Sequence, residues 1–306
     1  MVLCYGGIAL ETVIELPYAP KPGVAHIICE ERSRLGGGSA HVAEWLASWE
    51  VPTRLSGYVL GRDPSGDQLQ GWLSAYPTLD LRFLERSEGV GTLVSRTVPF
   101  PDGDKYLLCV GYANVTLTPP AVALLDDVDV LEIAFYHRQD RGNAAALALA
   151  GLAAARGVKI VAMDMFAPIV ADPPAADVVI NSAASIREQH PAIDVRAHGR
   201  ALRARTGGAV IVTDGGRELW AVDRDGAEYV ARPPDVRATD STGAGDSFRA
   251  GVIYGLVQGW PLADTLRWAT AVGALQIQRS LVQDRPPARD RIAQLAEQVE
   301  VLTLAR

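Results

Sequence analysis

Apolar and polar residues follow two different periods along this chain. Short runs in which nearly every residue is apolar alternate with longer runs whose apolar residues recur at helical spacing. This alternation predicts an α/β fold, with a doubly wound, mostly parallel sheet that helices cover on both faces. The predicted strands include Val2–Ile8, Val128–Ile133, Lys159–Met163, Asp177–Ile180 and Ala209–Thr213. The predicted helices between the last four strands are Gly142–Ala155, Ser185–His190 and Arg196–Thr206.

Two segments depart from this alternation because no helix flanks them. The first is Glu11–Ile28 and the second is Gly91–Tyr112. Within the second, Thr92–Val98 and Lys105–Val110 are predicted strands of a β-hairpin that turns at Asp102-Gly103. We expect the two segments to form a small sheet beside the main one. No internal repeat or low-complexity linker is evident, so residues 1–306 are expected to form a single domain.

The composition limits the class of protein. The 306 residues carry a net charge of −7, which disfavours nucleic acid as a partner. The cysteines Cys4, Cys29 and Cys109 are odd in number and lack metal-ligand spacing, which favours a reducing cytoplasm. Residues Met1–Gly7 lack a basic segment and are expected to be a core strand rather than a signal peptide. No apolar run approaches about 18 residues, so no membrane span is expected.

The run Asp240–Phe248 carries the sharpest chemical information. It places small residues between two carboxylates and leads into Phe248–Val257, whose apolar residues have helical spacing. Glycines let the backbone approach a ligand, and the N–H groups of a first helical turn attract an anion. Asp246 would lie in that first turn. A carboxylate beside an anion site is suited to take a proton from a hydroxyl that attacks a bound phosphate.

This run, continued to Gly251, resembles the signature D-T-x-G-A-G-D-x-F-x-x-G of the ribokinase-like (PfkB) carbohydrate kinases. The resemblance implies a ribokinase-like fold and an ATP-dependent phosphotransferase that phosphorylates a hydroxyl of a small sugar or sugar-like substrate. It implies that Asp246 is the general base. It also implies that the N–H groups of Gly243, Ala244 and Gly245 form the anion hole for the transferring phosphoryl group.

A second glycine-rich run, Leu35–Leu46, begins an amphipathic helix, and its backbone N–H groups could bond sugar oxygens. It resembles the family motif G-G-x-x-x-N-x-A at Gly36, Gly37 and Ala43, and Gly37 and Gly38 are the glycines expected to contact the substrate. His41 stands where the family usually has a sugar-binding Asn, and a neutral His can also donate or accept a hydrogen bond. A partly exposed helix position is the alternative for His41.

Two further positions are candidates for substrate binding. Glu11 follows the first strand, where the resemblance implies an Asp that holds substrate hydroxyls; a solvated charge at the hinge of the small sheet is the alternative. Asn114 ends the run Gly111–Asn114, which resembles the family's G-A-N and implies that Asn114 faces the substrate.

The nucleotide contacts come from the resemblance alone. Thr213 and Gly215 resemble the family's T-x-G, and Asn181 stands where an Asn-x-x-Glu motif begins. The resemblance implies that these residues, with Gly243 and Gly245, bind ATP.

The metal ligands are less conventional. The resemblance implies Mg²⁺, but the fourth position after Asn181 is Ala184, where the family's Glu would stand. We expect Mg²⁺ to be held by ATP phosphates, water and another acid, with Glu188 as the candidate, since Mg²⁺ needs only one or two carboxylates. Asp240 is the candidate for holding a monovalent cation such as K⁺. The segment Asp164–Pro168 also lacks the Asn and Arg of the family's D-x-N-x-R.

Several function classes lack their motifs. There is no P-loop, no complete dinucleotide-binding glycine motif and no G-x-S-x-G elbow, which disfavours P-loop enzymes, NAD-dependent dehydrogenases and serine hydrolases. The resemblance further implies that the small sheet is a lid over the sugar and part of a homodimer interface. A nucleoside kinase on the same scaffold, or a non-catalytic binding or regulatory relative, stays open as an alternative.

Overall fold

The structure is a computed structural model that describes residues 1–99, 105–112, 115–136, 140–166, 169–238, 241–278 and 285–304. Its strands are β1 Val2–Gly6, β2 Ala9–Glu15, β3 Glu30–Gly36, β4 Thr53–Gly57, β5 Leu60–Gly61, β6 Leu79–Asp80, β7 Arg86–Ser87, β8 Val94–Pro99, β9 Lys105–Val110, β10 Val130–Ala134, β11 Lys159–Met163, β12 Val178–Ser182, β13 Ala209–Thr213, β14 Leu219–Val222, β15 Glu228–Arg232 and β16 Glu300–Thr303. Its helices are α1 Gly38–Ser48, α2 Pro64–Leu73, α3 Asp140–Ala155, α4 Ala183–Gln189, α5 Val195–Thr206, α6 Ala244–Val257, α7 Leu262–Gln278 and α8 Arg289–Ala296.

Ten strands form the main sheet, in the order β16-β15-β14-β13-β12-β11-β10-β1-β4-β6. Neighbours from β6 to β13 are parallel, and β13 to β16 pair antiparallel. The chain runs outward from β1 to β4 and β6, then returns to β10 and builds the sheet in the other direction. Ligands in such sheets bind outside the carboxyl ends of the strands at this reversal, which here lies between β1 and β10.

Helices cover both faces of the main sheet. Successive residues of β1 alternate between the faces: Val2 and Cys4 belong to the hydrophobic cluster that contains α1, α6 and α7 residues, whereas Leu3 and Tyr5 belong to the one that contains α3 and α5 residues. The predicted doubly wound, mostly parallel sheet is therefore confirmed, with strand ends within two residues of those expected for all five predicted strands. Among the described residues, no helix is both long and apolar enough to cross a membrane.

The small sheet consists of four strands in the order β3-β2-β8-β9. The two predicted hairpin strands pair antiparallel, from Val94 opposite Val110 to Pro99 opposite Lys105, while the predicted turn at Asp102-Gly103 lies outside the described residues. The predicted bounds of the first segment, 11–28, are wrong. Residues 16–29 contain no strand, and the strand that follows β2 is β3, a run rich in charged residues. Because β3 is held by its pairing with β2 and lacks an alternation of apolar and polar residues, the sequence pattern did not indicate it.

The buried side chain of Arg54 joins β4 to the loop that precedes β10. Its Nε donates to Asp80 Oδ2 at 2.8 Å, and its Nη1 donates to the carbonyl oxygens of Leu124 and Asp126 at 2.8 and 3.0 Å. Asp80 also pairs with Arg82, but the Arg82 side chain is 74% exposed while that of Arg54 is only 2% exposed.

We therefore expect Arg54→Met to lower the free energy of unfolding by roughly 3–5 kcal/mol, because it leaves buried acceptors without donors. Arg82→Met removes an exposed partner of the same carboxylate and should cost about 1 kcal/mol or less. Urea denaturation of both variants measures the difference, and equal midpoints would contradict the expectation.

Candidate active site

Helix α6 begins at the carboxyl end of the main sheet. Its N-cap, Gly243, has φ 75° and ψ 3°, a left-handed conformation that glycine adopts without steric cost. The N–H of Ala244, predicted to face an anion, donates to the Ser241 carbonyl oxygen at 3.3 Å in this structure. A phosphoryl oxygen would have to displace this long bond. Residues Ser247–Gly255 are buried, which fixes the helix start against the sheet.

Asp246 lies in the first turn of α6, as predicted, with its side chain 24% exposed. Its Oδ1 accepts a hydrogen bond from Arg249 Nη2 at 2.9 Å. Arg249 has no exposed surface, and its Nη1 lies 3.1 Å from Oε1 of Glu132, which is equally buried on β10. The carboxylate of Asp246 is thus tied to the sheet through one guanidinium.

The second glycine-rich run reaches the same place. Gly37 is the N-cap of α1 with φ 91°, and an added Cβ atom would lie 2.4 Å from the Gly7 carbonyl oxygen. A Cβ atom on Gly38 would lie 2.7 Å from the Tyr136 hydroxyl, 2.9 Å from Arg249 Nη2 and 3.0 Å from Asp246 Oδ1. The structure therefore brings Gly38 and Asp246 together. Because Gly38 has no side chain, its backbone can lie close to the Asp246 carboxylate.

Glu11 and His41 lie near this carboxylate but are themselves paired. Glu11 is 3% exposed and accepts hydrogen bonds from Arg34 Nε and Nη2 at 3.0 and 3.2 Å and from Thr97 Oγ1 at 2.5 Å. Burial opposes the charged form, but these donors hold the pKa of Glu11 below its usual value. A solvated hinge position for Glu11 is excluded.

The His41 side chain is 13% exposed, and its Nδ1 lies 3.9 Å from Glu44 Oε2. Burial lowers the pKa of His41, but the acids Glu44, Asp246 and Glu11 outweigh it and raise that pKa above its ordinary value. His41 is thus a partly exposed residue of α1 that faces Asp246 and Glu11, and its contact with the substrate stays a prediction.

The loop in front of α6 is held from two sides. Lys105 of β9 donates from Nζ to Thr242 Oγ1 at 2.8 Å, and Gln276 of α7 donates from Nε2 to the Thr242 carbonyl oxygen at 3.0 Å. A Cβ atom on Gly245 would lie 3.4 Å from the Met163 methyl group at the end of β11. The small sheet thus contacts the loop that carries the candidate anion hole.

The predicted nucleotide residues lie at the ends of neighbouring strands. Asn181 of β12 has no exposed surface, and neither atom of its side-chain amide has a hydrogen-bond partner among the described residues. Its backbone oxygen accepts a long hydrogen bond from Thr213 Oγ1 at 3.5 Å, and Gly215 follows with φ 61°. An unpaired buried amide is costly, so it marks a position suited to a polar ligand.

Asp164 follows β11 beside these residues. It has the unusual φ of 54°, and its Oδ1 accepts from the Ser182 backbone N–H at 3.5 Å. Burial raises the pKa of Asp164 to about 6. Partly buried carboxyls with an unusual backbone conformation and a raised pKa concentrate at functional sites.

One described candidate, Glu188, is not brought into this cluster. Glu188 is exposed on α4, where its neighbour Arg187 pairs with Asp214 at 3.0 Å. Asn114 and Asp240 lie outside the described residues. Across the described ranges, no group of three or more His, Cys, Asp or Glu side chains is arranged to hold a metal ion.

Arg249 and Glu132 belong to the site although no sequence motif indicated either residue. Both stand in segments that are otherwise dominated by apolar residues, Arg249 in the predicted helix Phe248–Val257 and Glu132 in the predicted strand Val128–Ile133. Two opposite charges in core elements are the signal that could have indicated a buried pair, because an ionised side chain is rarely buried alone.

Comparisons with known proteins agree with this architecture. The profile of the pfkB family carbohydrate kinases matches residues 1–289. Acarbose 7(IV)-phosphotransferase of Actinoplanes sp. is 26% identical over 327 aligned positions, which cover 96% of this chain and 97% of the relative. The 1-phosphofructokinase of Escherichia coli is 40% identical over 95 residues, which span only 30% of each protein.

Solved structures show the same fold. Arabidopsis thaliana ribokinase complexed with ribose and ATP has a TM-score of 0.76 at 18% identity, and the match covers 97% of this chain and 98% of that one. Because the family profile spans nearly the whole sequence, this protein belongs to the PfkB family of carbohydrate kinases.

Proposed function

We propose that this kinase transfers the γ-phosphoryl group of ATP to a hydroxyl of a small sugar or sugar-like substrate, with Asp246 as the general base. The observation that carries the proposal is the position of the Asp246 carboxylate. It lies at the start of α6, partly exposed, with one oxygen held by Arg249 and the backbone of Gly38 in front of it. No described residue donates to its other oxygen, Oδ2, which is the atom suited to accept the substrate proton.

The proposed reaction needs little covalent chemistry from the protein. Asp246 accepts the hydroxyl proton while the substrate oxygen bonds to the γ-phosphorus. The bond from phosphorus to the oxygen that bridges the β- and γ-phosphates breaks, and ADP leaves. The backbone N–H groups at Gly243, Ala244 and Gly245 stabilise the charge on the transferring group, so positioning and electrostatics supply most of the rate.

The small sheet acts in this proposal as a lid. Lys105 of β9 contacts Thr242 in the loop before α6. A movement of the small sheet would therefore shift the loop that carries the anion hole. Glu11 on β2 and His41 on α1 line the substrate side, where they recognise hydroxyl groups. A closed lid excludes water and suppresses hydrolysis of ATP.

ATP as donor is supported by the family membership and by the ribokinase neighbour that was solved with ribose and ATP. On this chain, we propose that Asn181, Thr213 and Gly215 contact the nucleotide. The unpaired amide of Asn181 is the observation that favours a ligand there.

The same region fits Mg²⁺. Hard oxygen donors are available from the Asn181 amide and the Asp164 carboxyl, and Mg²⁺ commonly uses only one or two carboxylates beside phosphates and water. Asp164 is a better placed candidate than the exposed Glu188. Mg²⁺ would neutralise charge on the β- and γ-phosphates. Asp240 stays a proposed ligand for a monovalent cation such as K⁺.

We expect Asp246→Asn to reduce turnover by roughly two to four orders of magnitude, because the amide cannot accept the proton. The measurement is ADP release from Mg-ATP with a panel of sugars, sugar acids, polyols and nucleosides. Binding of ATP should survive, which calorimetry measures directly.

The panel also separates the alternatives. If only nucleosides stimulate turnover, the protein is a nucleoside kinase rather than a sugar kinase. ATP binding without substrate-stimulated turnover anywhere in the panel would favour a non-catalytic relative, and near-normal turnover by Asp246→Asn would overturn the mechanism.

Gly38→Ala should lower turnover at least tenfold. The new methyl group would crowd the Tyr136 hydroxyl, Arg249 Nη2 and Asp246 Oδ1, displacing the base from its position. Gly151→Ala in α3 is the matched control, since its Cβ would meet nothing within 4 Å. It should keep full activity and gain about 0.5–1 kcal/mol of stability. Equal activity of the two variants would contradict a site role for Gly38.

We also propose a cytoplasmic homodimer that associates through the small sheet. Strand β9 is an edge strand, and it leaves Tyr106, Leu107, Leu108 and Val110 each more than half exposed. Such an apolar edge is typical of a surface that another chain covers. The three cysteines are free, which fits a reducing compartment.

Leu108→Glu should therefore convert the dimer to a monomer, because a buried carboxylate would face the partner. Light scattering after gel filtration gives the mass in solution. Val122→Glu changes a comparably exposed apolar residue away from β9 and should leave the dimer intact. A monomeric wild type, or a dimer that survives Leu108→Glu, would count against this interface.

A further inference from the structure

Arg249 carries a charge in a place where a charge is expensive. It lies on α6 with no exposed surface, in a run of buried residues that extends from Ser247 to Gly255. Removing a guanidinium from water costs several kcal/mol, and replacing a buried ion pair by apolar residues is often neutral or stabilising. Stability alone therefore does not account for this arginine.

Its contacts point toward the reacting groups. Nη2 donates to Asp246 Oδ1 at 2.9 Å, while Nη1 lies 3.1 Å from Glu132 Oε1. Glu132 is itself fully buried, and burial raises its pKa despite the neighbouring guanidinium. The rigid fork of the guanidinium thus touches a buried acid on β10 with one arm and the base on α6 with the other.

We infer that Arg249, anchored by Glu132, is the positioning residue that fixes the carboxylate of Asp246 toward the substrate hydroxyl. The inference rests on the proposed function of Asp246.

The geometry restricts the carboxylate in two ways. The bond from Arg249 fixes which oxygen faces the protein, and so which oxygen faces the crevice. Gly38 and the Tyr136 hydroxyl also lie close to the carboxylate, because an added Cβ on Gly38 would contact the Tyr136 hydroxyl, Arg249 Nη2 and Asp246 Oδ1. Without Arg249, the partly exposed carboxylate could rotate toward solvent, and a displacement of about 1 Å can cost a hundredfold in rate.

Other charged and titratable groups also face Arg249. They are Cys4 on β1, Glu132 on β10, Tyr136 after β10, Asp164 after β11 and Asp246 itself, while His41 on α1 faces Asp246. Arg249 is the cation shared by this set. Removing Arg249 therefore takes away the guanidinium that donates to the Asp246 carboxylate.

The test compares Arg249→Met with Arg249→Lys, using kcat, KM and the pH profile of kcat on the substrate found with the panel. Arg249→Met should lower kcat roughly 10- to 100-fold with little change in KM for ATP. The acid limb of the kcat profile should move to higher pH, since the carboxylate has lost its cation. Arg249→Lys keeps a charged donor and should recover part of kcat and return the limb toward its original pH.

Arg54→Met is the matched control, because Arg54 is also a buried arginine paired with an Asp but lies away from the site. It should lower stability while leaving the pH profile unchanged. All rates are referred to the folded fraction, measured by circular dichroism.

A wild type that shows no turnover would overturn the proposed function and this inference with it. An active wild type whose Arg249→Met variant keeps both kcat and the pH profile would overturn the inference alone. A loss of activity in Arg249→Met that only follows its loss of folded protein, as in Arg54→Met, would assign Arg249 a merely structural role.

Discussion

The Arg249 guanidinium is buried, so its positive charge has to be paired with acidic side chains inside the protein. The elements of the site meet at this pairing. Glu132 from β10 and Asp246 from α6 supply the acids, and both distances are close to 3 Å. Two buried ions that separated would each pay the cost of desolvation without compensation. The pairing therefore holds α6 at one position over the carboxyl ends of β1 and β10, where a doubly wound sheet opens its crevice.

Close backbone packing then shapes that crevice. Gly57 ends β4 with φ 125°, and an added Cβ atom would lie 2.4 Å from the Gly6 nitrogen at the end of β1. Gly37 similarly packs against Gly7 at the start of α1. Since backbone fills the space that side chains normally occupy, α1 can bring Gly38 to the carboxylate on α6. The two glycine-rich runs of the sequence therefore form one site, to which α1 contributes one run and α6 the other.

Features that depend only on the local sequence pattern could be predicted. Apolar β-branched runs located the strands of the main sheet, and the small residues before Phe248 located the start of α6. What depends on pairing between distant segments could not be predicted. The charged strand β3 is held by its register with β2, which sets Glu11 opposite Arg34. Likewise, Glu132 and Arg249 lie more than a hundred residues apart, and only the topology of the sheet makes them neighbours.

The charges around the crevice are already paired within the protein. Glu11 is neutralised by Arg34, His41 lies among Glu44, Glu11 and Asp246, and Arg249 serves Asp246 and Glu132. Few of these cations are left to receive the charge of ATP phosphates. In the proposed function that charge is therefore met by backbone N–H groups at α6 and by Mg²⁺. Because Ala184 stands where the resemblance implies a Glu, the proposed metal site depends on the Asn181 amide, the Asp164 carboxyl and the nucleotide phosphates.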